Sequence, residues 1–95
     1  GQAIRATAGS FLTFRLGRQL YALPAGEVAE VIRTPAVTRL PQSPRGLLGL
    51  ANLRGTVLPV ASLRGLLGHA AAGPDDDGRA IVLDGAVPIA LVVDA

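Results

Sequence analysis

Several residue types are missing from this chain of 95 residues, which has no cysteine, methionine, tryptophan or lysine. Without cysteine there is no disulfide framework, thiol nucleophile or thiolate metal site. No apolar run approaches the roughly 18 residues that a membrane-spanning helix needs, and no stretch is typical of a signal peptide. These absences favour a soluble intracellular protein, which we expect to be cytoplasmic and not inserted into a membrane.

Aromatic residues are also scarce, and the basic residues are not clustered. The aromatic residues are Phe11, Phe14 and Tyr21, and the nine basic residues are all arginines spread between Arg5 and Arg79, with a formal net charge of +2. Nucleic-acid-binding proteins usually cluster their basic charge and add aromatic rings that stack on bases. We therefore expect no nucleic-acid partner, although a small-barrel nucleic-acid-binding module remains an alternative function.

Candidates for catalysis or metal binding are few. His69 is the sole histidine and stands near neither a cysteine nor a Ser/His/Asp set. Asp75, Asp76 and Asp77 are consecutive in a loop with glycine and proline, whereas cation sites draw their ligands from alternating or dispersed positions. The sequence therefore predicts no enzyme activity, no cofactor and no metal site.

The first third of the chain predicts a hairpin followed by a helical turn. After a loose arm over residues 1–10, Phe11 to Leu16 alternates apolar and polar residues, as a half-buried strand does. Gly17-Arg18 suits a two-residue turn, and residues 19–23 return as the second strand. Glu27 to Ile32 is predicted to be a short helical turn, because its branched apolar residues are spaced i, i+3, i+4.

The middle third centres on an apolar hairpin with a polar corner. Residues 47–53 and 56–60 form its two strands, which are hinged at Arg54-Gly55. Asn52 and Arg54 bring side chains that can make directed hydrogen bonds at this bend. Ser62 is predicted to be the N-cap of a short helix that follows.

The last third predicts a second hairpin, with strands over 79–83 and 87–93 and a turn at Asp84-Gly85. Both strands are nearly all apolar, as in strands covered on both faces. About seven short strands with regular turn signals indicate an all-β fold, either a barrel or a sandwich.

Several motifs together resemble one family, the CheW-like domains, which include the coupling proteins of bacterial chemotaxis. The resemblance extends from Phe11 to Asp94, and the most specific part is the Asn-Leu-Arg-Gly block followed by Leu-Pro-Val. The matching segments are Phe11–Gly17, Tyr21–Pro24, Val28–Ile32, Thr38–Pro41, Gly46–Gly55 and Val57–Arg64.

The resemblance implies two small SH3-like β-barrels with a shared core, a first barrel over 11–68 and a partial second barrel over 79–95. It also implies a non-catalytic adaptor that couples chemoreceptor cytoplasmic tips to the regulatory domain of the histidine kinase CheA. A CheW-like regulatory domain within a larger kinase or hybrid chemotaxis protein is the alternative within the same family.

The resemblance further implies a protein-binding surface on the first barrel. Taken without the family, Arg54 is most simply a turn residue, Glu30 a solvated residue of a helix face, and Gly49 a residue that permits close packing. The positions that match family contact residues lie on the helical turn, the following strand and the central hairpin; they are Val28, Glu30, Val37, Arg39, Gly49, Asn52 and Arg54.

The chain departs from the family pattern in two places. Ser62 stands where the family commonly has aspartate, which keeps a capping oxygen and drops a charge. The family domain also continues past the strand that matches 87–93 with further strands and a helix. We therefore expect an incomplete second barrel, from either a shortened chain or strands supplied by another chain. We also expect self-association or strand exchange through the apolar edges of 79–93.

Overall fold

The computed structural model describes residues 5–7, 10–68 and 78–94. For residues 5–7 the description is limited to the backbone. The described part of the chain is nearly all β, as predicted. It contains one 3₁₀ turn (Ala25–Glu27) and one short helix, α1 (Leu63–Leu66). The strands in chain order are β1 (Arg5–Thr7), β2 (Phe11–Leu16), β3 (Gln19–Pro24), β4 (Val28–Arg33), β5 (Thr38–Arg39), β6 (Leu47–Leu53), β7 (Thr56–Ser62), β8 (Arg79–Leu83) and β9 (Ile89–Val93).

The strands form two sheets. One is a three-stranded antiparallel sheet in the order β1-β2-β3, and the other has six strands in the order β4-β8-β9-β7-β6-β5. Within the larger sheet the pairing of β7 with β9 is parallel and the other pairings are antiparallel. Strands that are neighbours in this sheet are often far apart in sequence, and local sequence patterns do not reveal such pairings.

The β2–β3 hairpin forms as the alternation predicts. Leu12, Phe14 and Leu16 are buried on one face. The two-residue turn begins at Gly17, whose φ of +58° is a left-handed conformation that glycine adopts without steric cost. β1 adds a third strand, so part of the arm predicted to be loose over 1–10 belongs to a sheet.

The helical turn predicted over Glu27–Ile32 is wrong, because these residues form the end of the 3₁₀ turn and most of β4. Val28 lies opposite Leu83, and Val31 lies opposite Ile81. Residues three apart in a regular strand face opposite sides, but a bulge between Val28 and Glu30 adds one residue and returns both valines to one face. The bulge therefore accounts for the helix-like spacing of Val28 and Val31, whereas Ile32 lies opposite Ala80 and packs on the other face.

The central hairpin and the cap after it are confirmed. β6 and β7 turn at Arg54-Gly55, where both residues have positive φ values, +50° and +89°, as in a type I′ turn. The Ser62 hydroxyl accepts a hydrogen bond of 3.2 Å from the Gly65 backbone N–H, which is the predicted N-cap of α1.

The β8–β9 hairpin lies in the middle of the larger sheet, with both of its faces covered, as its apolar sequence predicts. The sequence predicted a turn at Asp84-Gly85 and a strand from residue 87. The connection between the two strands is longer than this, because β9 begins at Ile89. One face contributes Ala80, Val82 and Ala90 to a core cluster. The other contributes Ile81 and Val93 to a second cluster, which it shares with Leu12, Phe14 and Leu16 of β2.

The expectation that 79–93 presents free apolar edges is wrong. β8 pairs with β4, β9 pairs with β7, and β8 and β9 pair with each other. Strand pairing therefore crosses the boundary between the expected first barrel, 11–68, and partial second barrel, 79–95, and that division stays a prediction. His69 and Asp75–Asp77 lie outside the described residues.

The larger sheet curls around its own core cluster. Ile32 of β4 and Leu53 of β6 both pack against one core cluster, which has members on β6, β7, β8 and β9, although three strands separate β4 from β6 in the sheet. This curvature brings β4 close to the turn between β6 and β7, where the candidate site lies.

Candidate functional site

Two of the predicted site residues form an ion pair across the curled sheet. The Arg54 guanidinium, on the β6–β7 turn, donates a hydrogen bond from Nη2 to Oε2 of Glu30 on β4. The Arg54 side chain is 66% exposed, and about a third of the Glu30 side chain is exposed. The two residues are 24 positions apart in sequence, so the pair exists only because the sheet curls.

The backbone at Arg54 is held in an unusual conformation. Its φ of +50° lies in the left-handed region, where a residue with a Cβ costs of the order of 1 kcal/mol. Asparagine or glycine fits this turn position more easily. Asn52 stabilises the bend, because its Oδ1 accepts a hydrogen bond of 2.8 Å from the Gly55 N–H. The turn therefore presents an arginine side chain at a conformational cost.

Toward the residues that the structure describes, Arg54 uses little of its hydrogen-bonding capacity. Among the described residues its guanidinium donates to Glu30 alone, and a guanidinium has five N–H donors in a planar fork. The ion pair orients the guanidinium toward Glu30, and the side chain is still 66% exposed. Such a group can bind a carboxylate or a carbonyl oxygen of another molecule.

The sequence analysis missed an exposed apolar residue on the hairpin that carries this arginine. Val57 is opposite Asn52 in the β6–β7 register, and 61% of its surface is exposed. The buried residues of β7 include Leu58 and Val60. Strand alternation therefore places Val57 on the outer face, and an apolar residue at that position was the available signal.

The other predicted site residues have different surroundings. Val28 is half-buried and packs against the cluster that contains Phe14. Val37 is half-buried and packs against the cluster of the larger sheet. Arg39 is exposed on β5, opposite Gly49 in the register. The structure thus brings together Glu30, Asn52 and Arg54, and it does not bring the other four residues to this group.

Gly49 is buried in a place with no room for a side chain. Its φ is +153°, and a Cβ there would lie 2.1 Å from the Thr38 carbonyl oxygen. The close approach of β5 to β6 therefore requires glycine. The reading of Gly49 as a close-packing residue accounts for its geometry.

A second ion pair lies in a part of the chain where no site was predicted. Arg64 of α1 donates from Nε and Nη2 to the two oxygens of Asp94, at 3.0 and 2.6 Å. Asp94 also accepts a hydrogen bond of 2.5 Å from the Gly17 N–H, and its own N–H donates to the Arg15 carbonyl. Asp94 therefore joins α1 and the end of β9 to the β2–β3 hairpin.

These contacts favour the charged forms of both partners. The hydrogen bonds from Arg64 hold the pKa of Asp94 below its ordinary value of 3.8, and the Gly17 N–H lowers it further against the effect of desolvation. The hydrogen bond with Asp94 raises the pKa of Arg64. A carboxyl whose pKa is lowered by folding stabilises the fold above its unfolded pKa, and this contribution is lost as the pH falls through its folded pKa.

We therefore expect Asp94→Asn to destabilise the protein at pH 7, and the difference from the parent to shrink as the pH falls below about 4. Denaturant unfolding of both proteins between pH 7 and pH 2 measures this difference. Asp84→Asn is the control, because Asp84 has no ion pair among the described residues. A difference that stays constant down to pH 2 would contradict the role of the Asp94 charge.

The described residues contain no group of three or more histidine, cysteine, aspartate or glutamate side chains that could hold a metal ion. Asp75–Asp77 are not among these residues. In the same part of the chain, no helix is long and apolar enough to cross a membrane.

Comparison with known proteins gives a consistent match. A family model described as CheW-like domain matches residues 10–95. The chain is 37% identical over 73 residues to the chemotaxis protein CheW of Helicobacter pylori and 39% identical over 67 residues to PilI of Pseudomonas aeruginosa. The crystal structure of the scaffolding protein TtCheW from Thermoanaerobacter tengcongensis matches with a TM-score of 0.82 and 32% identity. This structural match confirms the predicted SH3-like fold.

The matches cover much of this chain and less of each relative. They include 77% and 70% of this chain for the Helicobacter and Pseudomonas proteins, but only 44% and 36% of those proteins. The TtCheW match covers 90% of this chain and 59% of the other. The chain therefore spans less than half the length of the two curated relatives.

Proposed function

Because the chain belongs to the CheW-like domain family, we propose that it is a non-catalytic adaptor in a chemotaxis-type signalling array. It bridges the cytoplasmic tips of chemoreceptors to the regulatory domain of a CheA-type histidine kinase, and it acts in the cytoplasm. The names of the relatives support this assignment, since they include chemotaxis proteins and a scaffolding protein.

The observation that best supports a binding role is the orientation of Arg54. An arginine held by an ion pair loses less side-chain freedom when a partner binds, so more of each new hydrogen bond contributes to affinity. Arginine is also enriched among the residues that dominate binding energies at protein interfaces. Residues held in sparsely populated backbone conformations cluster at functional sites, and the positive φ of Arg54 fits a binding role in this respect.

The neighbourhood of Arg54 suits a protein partner. Val57 offers exposed apolar surface opposite Asn52, on the same hairpin whose turn carries Arg54. An apolar patch with a polar rim is the usual composition of such interfaces. We propose that the partner covers Val57 and directs a carboxylate or carbonyl oxygen to the free donors of Arg54.

Arg54→Ala is expected to weaken partner binding by roughly 10- to 100-fold, because a hydrogen bond to a charged group contributes about 1.5–3 kcal/mol. Thermal stability should change little, since exposed ion pairs contribute about 0–1 kcal/mol. Titration calorimetry against a CheA regulatory domain and a receptor cytoplasmic fragment measures the affinity, and a thermal melt measures the stability.

Arg18→Ala is the matched control, because Arg18 is an exposed arginine in the two-residue turn of the β2–β3 hairpin. It should bind both partners as the parent does. If Arg54→Ala also binds both partners with parental affinity, the proposed surface is wrong. If the folded parent binds neither partner, the adaptor role of this chain is wrong.

A further inference from the structure

The parallel ladder between β7 and β9 stops before it reaches the beginning of β7. Val60 pairs with Ala90, and the same register continued toward the beginning of β7 would place Val57 beside Val87. β9 begins only at Ile89, and among the described residues no other strand lies on this side of β7. The larger sheet therefore has a gap beside Val57.

The antiparallel ladder on the other side of β7 determines which backbone groups point into the gap. Leu53 and Thr56 flank the two-residue turn and therefore form a hydrogen-bonded pair. The Ser62 N–H donates to the Gly46 carbonyl at 2.6 Å, so the even-numbered residues of β7 bond toward β6. Val57 consequently directs its N–H and C=O groups into the gap. Neither group has a hydrogen-bond partner among the described residues.

Two prolines end the ladder at this point. Pro59 is the next residue of β7 that faces β9, and it has no N–H to donate across the ladder. Pro88 immediately precedes β9 and has no N–H to donate to the Val57 carbonyl. The gap is therefore a property of the strands on either side of it. It lies at the beginning of β9, whereas Asp94 follows the end of that strand.

The side chains around the gap are unusually exposed for apolar residues. Val87 is 71% exposed and Val57 is 61% exposed, the highest values among the large apolar side chains that the structure describes. An unpaired backbone donor and acceptor beside exposed apolar side chains can bind an extended segment, which completes the ladder with its own backbone. A helix does not suit this site, because its N–H and C=O groups bond within the helix.

We propose that an extended segment of the protein partner binds in this gap and adds to the sheet beside β7. Its backbone accepts a hydrogen bond from the Val57 N–H and donates one to the Val57 carbonyl, and an apolar side chain of the segment covers Val57 and Val87. This inference rests on the proposed function, because the partner is the one that also contacts Arg54 on the same hairpin. It adds the conformation of the bound segment, which a contact with Arg54 does not specify.

Amide hydrogen exchange measured by NMR tests the backbone contacts. The probe is whichever of the CheA regulatory domain and the receptor cytoplasmic fragment binds the parent and loses affinity with Arg54→Ala. The Val57 amide should exchange rapidly in the free chain and become about tenfold or more slower in the complex. The Leu58 amide is the internal control, because it bonds to β6 and should exchange slowly in both states. A Val57 amide that is slow in the free chain, or still rapid in the complex, would overturn the proposal.

Two variants at the same position separate the backbone contact from the side chain. Val57→Pro removes the N–H that faces the gap and leaves the ladder with β6 intact, as Pro59 does two residues further along β7. Val57→Ala is the matched control, because it also loses the valine side chain but keeps the N–H. Titration calorimetry with the same probe should show Val57→Pro binding about tenfold more weakly than Val57→Ala, because one hydrogen bond is lost and its acceptor is left unpaired. Equal affinities of the two variants, each shown to be folded by a thermal melt, would contradict the backbone contact.

These measurements distinguish a failure of this inference from a failure of the proposed function. If Arg54→Ala weakens binding while the Val57 amide stays rapid in the complex, the partner uses the Arg54 surface and the extended segment is wrong. If the folded parent binds neither probe, the adaptor role is wrong, and the extended segment is wrong with it.

Discussion

Phe14→Ala is expected to lower the free energy of unfolding by about 3–5 kcal/mol, the usual cost of removing a buried phenylalanine side chain. Phe14 is 1% exposed and stacks on Tyr21 with ring centroids 5.9 Å apart. It shares a cluster with Ile81 of β8 and Val93 of β9. The side chain therefore connects the three-stranded sheet to the larger one, and its loss leaves a cavity between them.

Urea unfolding followed by circular dichroism measures this effect. Phe11→Ala is a closely matched control, since Phe11 is the same residue type in the same strand but 46% exposed on the opposite face. It should cost much less than Phe14→Ala. If both variants lose the same free energy of unfolding, β2 does not bury the face that carries Leu12, Phe14 and Leu16 in solution.

Gly49→Ala is expected to lower the free energy of unfolding by about 2–4 kcal/mol. Forcing a group into a well-packed site typically costs about 1–3 kcal/mol, and a residue in a sparsely populated backbone region adds a cost of similar size. The new Cβ would lie 2.1 Å from the Thr38 carbonyl oxygen and 2.8 Å from Cγ1 of Val37. β5 must therefore move away from β6 to accommodate it.

Gly26→Ala is the control for this prediction. A Cβ at Gly26 has no atom within 4 Å, and its φ is not in the left-handed region. Comparing the two variants by thermal melt and by partner titration separates structure from binding. If Gly49→Ala melts like the parent and still loses partner binding, Gly49 is a contact residue. Close packing against β5 would then not explain why the position is glycine.

Local patterns predicted the hairpins because their information lies within a few residues. The alternation from Phe11 to Leu16 and the glycine at 17 determine β2, its buried face and its turn. The same reasoning failed for β4. A bulge restores Val28 and Val31 to one face, and spacing alone does not distinguish a bulged strand from a helical turn.

The arrangement of the hairpins was beyond local reasoning. Nothing in the sequence of β8 indicates that it pairs with β4, and nothing in β9 indicates a parallel partner in β7. The apolar composition of β8 and β9 predicted only that both faces are covered, and the clusters confirm this.

The candidate site was predictable in part. The resemblance indicated Glu30 and Arg54 as separate positions, but their contact depends on the curvature of the sheet. Val57 was detectable as an apolar residue at an outward position of β7. The pairing of Arg64 with Asp94, 30 residues apart, gave no local signal.

The central position of β8 and β9 also has a consequence for how the chain folds during synthesis. The larger sheet cannot close until residues 79–93 have left the ribosome, because these residues occupy the place between β4 and β7. Until then, β4 and β7 expose strand edges that are paired in the finished protein, and such edges promote aggregation. Contacts between residues this distant in sequence also slow folding. The nascent chain therefore leaves one edge of β4 and one edge of β7 without their final partners until residues 79–93 have been synthesised.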